Sequence, residues 1–419
     1  MNKVLNIILI FALLIMSFGC ENEDEQVTGG KPEVQYVRAL STELPDNLVT
    51  GEFLGARLAI IGKGLAGVNK ILFNDVPAVL NPAYITDNSI IVSIPSAIPG
   101  VKQNLIKLYT ATDSCYYDFE VKVPAPTVNS MSFEWTVAGD VTEINGNYFI
   151  DDPNVPLQVT FTGDVAATIV DIDLSKITVE VPEGALEGPV TITSVYGSTK
   201  SPFHYKDSRN IIATFNNGIS PDYDYYSGWH GGSGVATEGG INGNYLRLGD
   251  GSAEMTDDAW NDGTFSWENW TYLATDPDFF DASKMNNYVL KFEIKYTDWS
   301  AAALQIIFTG ASDVMLNWQN GNGLTFDSKW GGSANSYVSS ADYPRMLIIP
   351  WKDGIYNSDW TTVTIPMSEC KYNSGGEAVS PQGTGHYSGL TLFVNEGGIA
   401  GTPCHPTLWI DNVRIVPAK

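Results

Sequence analysis

The chain has 419 residues, and its 48 Asp and Glu residues outnumber its 23 Lys and Arg residues, which gives a formal net charge of −25. Binding to nucleic acid, to an anionic membrane surface or to another polyanion needs clustered basic residues, so this charge balance argues against all three and favours a neutral ligand. With 43% hydrophobic residues, 40 Gly and 22 Pro, the composition is typical of folded, β-rich modules and not of a disordered chain.

The chain begins with MNKVLNIILIFALLIMSFGC, in which an apolar run follows a single Lys and ends at Cys20. This run is too short for a comfortable membrane span and has the position of the apolar region of a secretory signal peptide. Its last residues, LLIMSFGC, resemble a bacterial lipobox. The resemblance implies that residues 1–20 are a lipoprotein signal peptide and that Cys20 is the lipidated first residue of the mature protein. An ordinary secretory signal with an incidental cysteine is the alternative.

An acidic segment, ENEDEQ, follows the cysteine directly. A short acidic run is normally a solvated tether, and residues 21–33 are predicted to be one. Behind a lipobox, however, this run also resembles the export signal that sends lipoproteins of the Bacteroidota to the outer face of the outer membrane. On that resemblance we expect a lipid-anchored protein of the outer membrane that faces the cell exterior and contacts the membrane only through its anchor.

Residues 34–206 contain an internal repeat. Both copies have a Pro at entry (PEVQYV and PTVNSMSF), a hairpin at FNDV or FTGDV, and a strand that ends in Pro (IVSIP and VEVP). Short alternating segments bounded by Gly, Pro and Asn predict an antiparallel β-sandwich for each copy. The shared features resemble the immunoglobulin-like IPT/TIG fold. We therefore predict IPT/TIG-like domains at residues 34–124 and 125–206, acting as rigid spacers.

The composition changes near Asp207, beyond which all but Trp135 of the 11 tryptophans lie. Alternation and β-branched content predict strands in five segments, and no segment has sustained helical periodicity. The predicted strands are at 290–299, 304–310, 360–370, 390–395 and 408–417. A jelly-roll-type β-sandwich is predicted for residues 207–419, which makes the whole chain all-β: two immunoglobulin-like sandwiches followed by a jelly roll.

The tryptophans of this region divide into two groups. Those in alternating strands, Trp299, Trp360 and Trp409, are predicted to pack in the core. Others stand among Gly, Asn, Asp and Ser in stretches predicted to be loops, where an uncovered indole exposes costly apolar area. These are Trp229, Trp260, Trp267, Trp270, Trp318 and Trp330.

A sugar ring is one ligand that could cover such an indole. A pyranose has C–H groups on its faces and hydroxyls around its rim, so an indole can stack under the face while nearby polar side chains bind the rim. Glu268 and Asn269 stand between two of the tryptophans. This pairing favours a platform that binds a polysaccharide; the alternative is that the loops cover these indoles themselves.

Catalysis is not predicted. A glycosidase needs two carboxylates facing each other across the scissile bond, and the C-terminal region has no E-x-D-x-x-E strand motif. Glu293 is a lone glutamate in a predicted strand, and the four histidines lack metal-ligand spacing. Three cysteines remain after Cys20, of which Cys370 and Cys404 could form a disulfide in an oxidising compartment.

The order of these parts resembles the B-type surface glycan-binding proteins of Bacteroidota polysaccharide-utilisation loci. The segments that carry the resemblance are GWHGGSG, GNYLRL, SWENWTY, PWKDGIYNSDWTTVTIPMSEC and WIDNVRIVP. The resemblance implies a non-enzymatic protein that holds a neutral, β-linked polysaccharide, such as xyloglucan, mixed-linkage glucan or mannan. It also implies two partners, a TonB-dependent transporter and its SusD-like lipoprotein, and an aromatic platform at Trp229 and the Trp260/Trp267/Trp270 group.

Two other functions stay open from the sequence: a structural or adhesive surface protein whose aromatic loops bind another protein, and a jelly-roll glycoside hydrolase. No cofactor is predicted. A structural calcium ion stays open as well, because Asp222, Asp224 and Asp411 offer the oxygen ligands that calcium prefers, although their spacing does not resemble an EF-hand loop.

Overall fold

The computed structural model describes the chain in segments. Within some of them, which include 264–268 and 316–318, the description covers the backbone alone. Cys20 and the rest of residues 1–29 lie outside the described residues. The described segments are 30–40, 48–216, 234–236, 238–249, 251–252, 254, 264–268, 282–298, 302–310, 316–318, 347–349, 359–372, 387–396 and 403–419.

The fold is all-β, as predicted. Across the described segments the secondary structure consists of strands and four short 3-10 helices, at Leu65–Gly67, Pro82–Tyr84, Ala282–Asn287 and Met367–Glu369. No helix in the described part of the chain has the length and apolar character needed to cross a membrane.

The chain divides into two compact units. One contains residues 1–124 together with 151–156, and the other contains residues 125–150 and 157–419. The second unit therefore holds both the second copy of the repeat and the tryptophan-rich region. The boundaries of the individual domains stay predictions.

The first unit contains a β-sandwich of the immunoglobulin-like type. One sheet has the strand order β1-β3-β6 and the other has the order β5-β4-β7-β8, while β2 pairs with β9 in parallel. Alternate residues of these strands, such as Ile60, Ile71 and Ile106, form the core. The strands are β1 (Glu33–Ala39), β2 (Gly51–Phe53), β3 (Arg57–Lys63), β4 (Lys70–Phe73), β5 (Val76–Pro77), β6 (Ser89–Ser93), β7 (Leu105–Tyr109), β8 (Ser114–Asp118) and β9 (Glu120–Lys122).

The second unit begins with another sandwich of the same type. Its sheets have the orders β10-β11-β15-β14 and β13-β12-β16-β17, and its buried core includes Ile144, Phe161, Ile177 and Phe203. The strands are β10 (Thr127–Met131), β11 (Val141–Asn147), β12 (Gln158–Phe161), β13 (Val165–Ala166), β14 (Thr168–Ile172), β15 (Lys176–Glu180), β16 (Gly188–Ser194) and β17 (Gly197–Tyr205).

The tryptophan-rich region forms two larger sheets. In the β29 sheet the order is β19-β20-β29-β22-β26, with β18 also paired to β29; in the β28 sheet it is β21-β28-β23-β24-β27, with β25 also paired to β23. Their strands are β18 (Ile211–Ala213), β19 (Gly234–Ala236), β20 (Tyr245–Leu248), β21 (Thr264–Glu268), β22 (Tyr288–Thr297), β23 (Ala302–Gly310), β24 (Leu316–Trp318), β25 (Leu347–Ile349), β26 (Thr361–Pro366), β27 (Cys370–Tyr372), β28 (Tyr387–Glu396) and β29 (Thr407–Pro417).

Each of these two sheets has a buried row of apolar residues. In the β29 sheet, Leu290, Phe292 and Ile294 alternate along β22 and are at most 1% exposed, and in the β28 sheet Leu392 and Val394 are equally buried. The face of each sheet that carries its buried row is its inner face, and the opposite face is its outer face.

Two predictions are corrected by these elements. Residues 264–268, predicted to lie in a loop, form strand β21, because Phe265 and Trp267 alternate with Thr264, Ser266 and Glu268 at the period of a strand. Cys404 is a buried free cysteine, so the disulfide with Cys370 that the sequence left open is not formed.

Candidate functional site

The structure describes only part of the predicted binding set. Trp229, Trp260, Asn269, Trp270 and Trp330 lie outside the described residues, as do Asp222 and Asp224 of the calcium hypothesis and the predicted core residue Trp299. Three members lie in strands whose backbone is described: Trp267 and Glu268 in β21 and Trp318 in β24. For these three, the strand register determines which face of the β28 sheet each residue occupies.

Trp267 and Glu268 lie on opposite faces of this sheet. In the antiparallel pairing of β21 with β28, Trp267 is opposite Leu390 and Glu268 is opposite Gly389. Leu390 is two residues from the buried Leu392 and therefore lies on the same face. The register thus places Trp267 on the inner face of the β28 sheet and Glu268 on its outer face.

Trp318 also lies on the inner face. Its neighbour Leu316 pairs with Phe308 of β23, and Phe308 shares a face with Leu304, which is fully buried. Because residues two apart in a strand share a face, Trp318 falls on that face as well.

The outer face of the β28 sheet carries a row of residues that can hydrogen bond. Ser266 pairs with Thr391, which pairs with Ile307, and Thr264 pairs with Phe393, which pairs with Gln305. The apolar residues Ile307 and Phe393 therefore share this face with the polar ones. Asn317 continues the row through its pairing with Ile307. Alternation within TFSWE is the sequence signal that could have identified this row.

The outer face of the β29 sheet is closed by a cluster of buried charges. Lys291 and Glu293 alternate with the core residues of β22, yet they are 4% and 0% exposed. Arg414 of β29 donates from Nη1 to Glu293 Oε2 at 2.8 Å and from Nη2 to Glu134 Oε2 at 2.7 Å. Glu134 also forms a salt bridge with Lys291. Since Glu134 belongs to the β10–β11 connection, the second sandwich covers this part of the sheet.

Thr362 of β26 extends the same contact. Its backbone N–H donates to Ser132 O at 2.9 Å, and its hydroxyl oxygen accepts the N–H of Glu134 at 2.8 Å. The hydroxyl itself donates to Glu293 Oε1 at 3.1 Å. Buried polar groups are costly when they lack hydrogen-bond partners. Here the polar groups of the second sandwich and of the β29 sheet form hydrogen bonds with one another.

This cluster is structural, not catalytic. Burial raises the pKa of Glu293, while the positive charge of Arg414 acts in the opposite direction. Glu134 and Glu293 are both at most 1% exposed and both hydrogen bonded to Arg414. Neither carboxylate can reach a polymer chain, so this pair does not form the open acid–base arrangement that a glycosidase requires.

Asp411 lies on the same outer face, opposite Glu293. It is fully buried, and burial raises its pKa to about 8. Oδ1 accepts the N–H of Asn412 at 2.7 Å, whereas Oδ2 has no hydrogen-bond partner. Of the three residues of the calcium hypothesis the described segments contain Asp411 alone, and one carboxylate does not define a calcium site.

A different group has ligand atoms close enough for a metal ion: Glu187, His204 and Asp207, whose atoms lie within 4.8 Å of one another. Both carboxylates already have partners, because Asp207 holds Arg209 through Nε at 2.8 Å and Glu187 accepts the Ser208 hydroxyl at 2.7 Å. Burial lowers the pKa of His204. These contacts explain why the three side chains lie close together.

Trp360 and Trp409 were predicted to be core residues, and the structure corrects this. Trp409 pairs across the strands with Lys295 and Arg247, which places it on the outer face of the β29 sheet, where it is only partly buried. Its ring packs against Tyr245 at a centroid distance of 4.8 Å, and Lys295 Nζ lies 4.7 Å from the ring centroid. Trp360 donates from Nε1 to Gly239 O at 3.0 Å.

Known proteins share parts of this architecture. A family model described as the surface glycan-binding protein B xyloglucan binding domain matches residues 205–417. The crystal structure of a surface glycan-binding protein B from Prevotella bryantii is 32% identical, covers 93% of this chain and 99% of that one, and superposes with a TM-score of 0.77.

A curated relative is named for the IPT/TIG domain. An IPT/TIG domain-containing protein of Bacteroides ovatus is 25% identical over 230 residues, which is 49% of this chain and 46% of that protein. The chain thus aligns with less than half the length of this relative.

Proposed function

The chain belongs to the surface glycan-binding protein B family, and from that premise we propose that it is a non-catalytic, lipid-anchored surface protein that binds a neutral, β-linked polysaccharide. The family model that covers residues 205–417 is described as binding xyloglucan, and we take xyloglucan as the first ligand to test. A neutral polymer also agrees with the net charge of −25, which disfavours anionic ligands.

The observation that supports a binding face most directly is the row of polar residues on the outer face of the β28 sheet. The strand register assigns Ser266, Glu268, Gln305, Asn317 and Thr391 to one face, which they share with Ile307 and Phe393. Hydroxyl, amide and carboxylate groups suit the hydroxyl rim of a sugar chain.

The proposed aromatic contacts are revised by the strand register. Trp229, Trp260, Trp270 and Trp330 stay in the proposed ligand set with Glu268 and Asn269. We propose Trp267 and Trp318 as packing residues instead, because the strand register assigns them to the inner face. Each stacked aromatic ring can add about 0.5–1.5 kcal/mol beyond the area that it buries, so several are needed for useful retention.

The remaining parts of the proposal follow from family membership and the N-terminal sequence. Cys20 carries the lipid anchor, and the protein acts beside a TonB-dependent transporter and a SusD-like lipoprotein that take up the captured polymer. A single acyl chain holds a protein only marginally, so more than one chain is expected on Cys20.

Affinity gel electrophoresis with the anchor-free protein, residues 21–419, tests this function. We expect xyloglucan in the gel to retard the wild-type protein, and Glu268→Ala to weaken retention about tenfold, because a hydrogen bond to a charged group is worth about 1.5–3 kcal/mol. Glu180→Ala on β15 removes an exposed glutamate from the second sandwich and serves as the matched control.

Two outcomes would count against the proposal. If xyloglucan, mixed-linkage glucan and mannan all fail to retard the wild-type protein, the polysaccharide function is wrong. If Glu268→Ala and Glu180→Ala behave alike, the ligand does not bind the outer face of the β28 sheet. Release of reducing ends from a retained polymer would show hydrolysis and reject the non-catalytic assignment.

A further inference from the structure

One aromatic residue of the β28 sheet, Phe393, has a position that the core does not explain. In β28 it stands between Leu392 and Val394, which are 0% and 1% exposed on the inner face. Because successive residues of a strand occupy opposite faces, Phe393 falls on the outer face. The core of the sandwich lies on the other side of the sheet, so packing in that core does not account for an aromatic residue here.

The strand register gives Phe393 a hydrogen-bonding residue on each side. β28 is an interior strand of its sheet, between β21 and β23. Phe393 pairs with Thr264 of β21 and with Gln305 of β23. Direct cross-strand neighbours have Cβ atoms about 4.5–5.5 Å apart. A hydroxyl residue and an amide residue therefore flank Phe393 at short range on the same face.

Ile307 repeats this arrangement beside Phe393. It pairs with Thr391 of β28 and with Asn317 of β24. Phe393 and Ile307 are diagonal neighbours across β28 and β23, and positions related in this way are about 7–8 Å apart. The outer face thus has two apolar positions side by side, each between two residues that can form hydrogen bonds.

This pattern suits a sugar ring better than it suits an apolar partner. A pyranose has C–H groups on its faces and hydroxyls around its rim, so a ring that lies flat on an apolar residue brings its hydroxyls toward the flanking polar residues. An apolar surface in the same place would desolvate the polar groups of Thr264 and Gln305 without pairing them, which is costly. The arrangement therefore favours a carbohydrate.

We propose that Phe393 contacts the ligand: one sugar ring of the polysaccharide stacks on it, while Thr264 and Gln305 bind hydroxyls of that ring. The ligand is the neutral, β-linked polymer of the proposed function, and the inference rests on that function. Phe393 gives the outer face of the β28 sheet an aromatic contact, whereas the register assigns Trp267 and Trp318 to the inner face.

Affinity gel electrophoresis of residues 21–419 in xyloglucan tests the stacking. Phe393→Ala should raise the Kd obtained from the mobility about tenfold, and Phe393→Leu about fivefold, because leucine restores apolar area without a flat ring. Phe393→Tyr keeps the ring and should stay within about twofold of the wild type. The control is Tyr116→Ala, which removes an aromatic residue that is 59% exposed on the first sandwich and should leave retention unchanged.

Urea denaturation separates ligand contact from packing. The midpoint of Phe393→Ala should stay near that of the wild type, because the substitution leaves no cavity in the core. The neighbouring Leu392→Ala truncates a fully buried side chain and should lower the midpoint clearly. If Phe393→Ala does not fold, the comparison of Phe393→Leu with Phe393→Tyr still tests the aromatic contact.

A double variant tests whether Phe393 and Gln305 hold the same ring. Gln305→Ala alone should weaken retention about fivefold, because it removes a hydrogen bond to a sugar hydroxyl. With Phe393→Ala added, the total loss should be smaller than the product of the two single losses, since residues that bind one group are not independent. A loss equal to that product would reject the shared ring.

Two results would overturn the role of Phe393: retention of Phe393→Leu as strong as that of the wild type, or a loss of stability in Phe393→Ala as large as in Leu392→Ala. Either result would leave the glycan-binding function standing. If xyloglucan, mixed-linkage glucan and mannan all fail to retard the wild-type protein, that function is wrong and this inference fails with it, so the two failures are distinct.

Discussion

The two large sheets of the tryptophan-rich region use polar outer faces in opposite ways. On the β29 sheet, Lys291, Glu293 and Arg414 are buried and paired, partly with Glu134 of the second sandwich. On the β28 sheet, the outer face carries Ser266, Thr391 and Asn317 beside the apolar Ile307, and we propose a sugar as the partner of this face. One face therefore fixes the region to its neighbour within the chain, and the other is proposed for the ligand.

Because of this difference, the tryptophan-rich region is expected to be unstable when it is produced without the second sandwich. A fragment that begins at residue 207 lacks Glu134, and it would leave Lys291 and part of the Arg414 guanidinium without their partner. Removing one member of a buried ionic group is far more destabilising than removing a surface pair. The second sandwich is thus part of the stable unit, which agrees with the grouping of residues 125–150 and 157–419.

The largest effect that we predict comes from breaking the closed face. Arg414→Met leaves Glu134 and Glu293 buried without their shared cation, and we expect the free energy of unfolding to fall by about 3–5 kcal/mol. Urea denaturation at pH 7 measures this change. The control is Lys176→Met, which breaks a half-exposed pair with Glu143 and should leave the denaturation midpoint almost unchanged. Equal losses in both variants would show that the buried cluster contributes no more than a surface pair.

The sequence predicted strands more successfully than it predicted which face a residue occupies. Five predicted strands correspond to β22, β23, β26, β28 and β29, because β-branched alternation over six or more residues is a strong local signal. The repeat likewise appears as two sandwiches whose strand orders correspond, apart from β14 in the second and the β2–β9 pair in the first.

The errors arose where a local pattern has two meanings. Trp409 alternates with buried residues, which indicates a strand, but alternation alone does not say which of two faces is covered. The polar neighbours of Trp267 suggested a loop, although they form the outer row of a short strand. The ionic cluster could not be predicted, because Glu134 and Arg414 are 280 residues apart and only the tertiary fold brings them together.

The second prediction tests the register of β21. Trp267→Ala should lower the free energy of unfolding by about 3 kcal/mol if this residue packs on the inner face. Its neighbour Glu268, on the outer face, provides the control: Glu268→Ala should leave the denaturation midpoint unchanged while it weakens retention in the xyloglucan gel. The reverse pattern, with Trp267→Ala losing retention but not stability, would return Trp267 to the ligand set.

The smallest effect that we predict concerns Asp411, a carboxylate of the closed face whose Oδ2 has no hydrogen-bond partner. Burial raises its pKa to about 8 from an ordinary value of 3.8, so between these values the folded protein retains a proton that the unfolded chain has released. The unfolded state then binds fewer protons, and the contribution of Asp411 to stability falls as the pH rises from about 4 to about 8.

Asp411→Asn keeps the shape of the side chain and removes this titration. We expect the variant to be about 1–2 kcal/mol more stable than the wild type at pH 8 and to approach the wild type at pH 4. The amide does not titrate, whereas the buried carboxyl group of Asp411 loses its proton near pH 8 while its Oδ2 has no hydrogen-bond partner. Thermal melts across this pH range measure the difference, with Asp87→Asn on the exposed surface as the control. A loss of stability at pH 8 would mean that Asp411 is ionised and held by a cation, and calcium would then stabilise the wild type but not the variant.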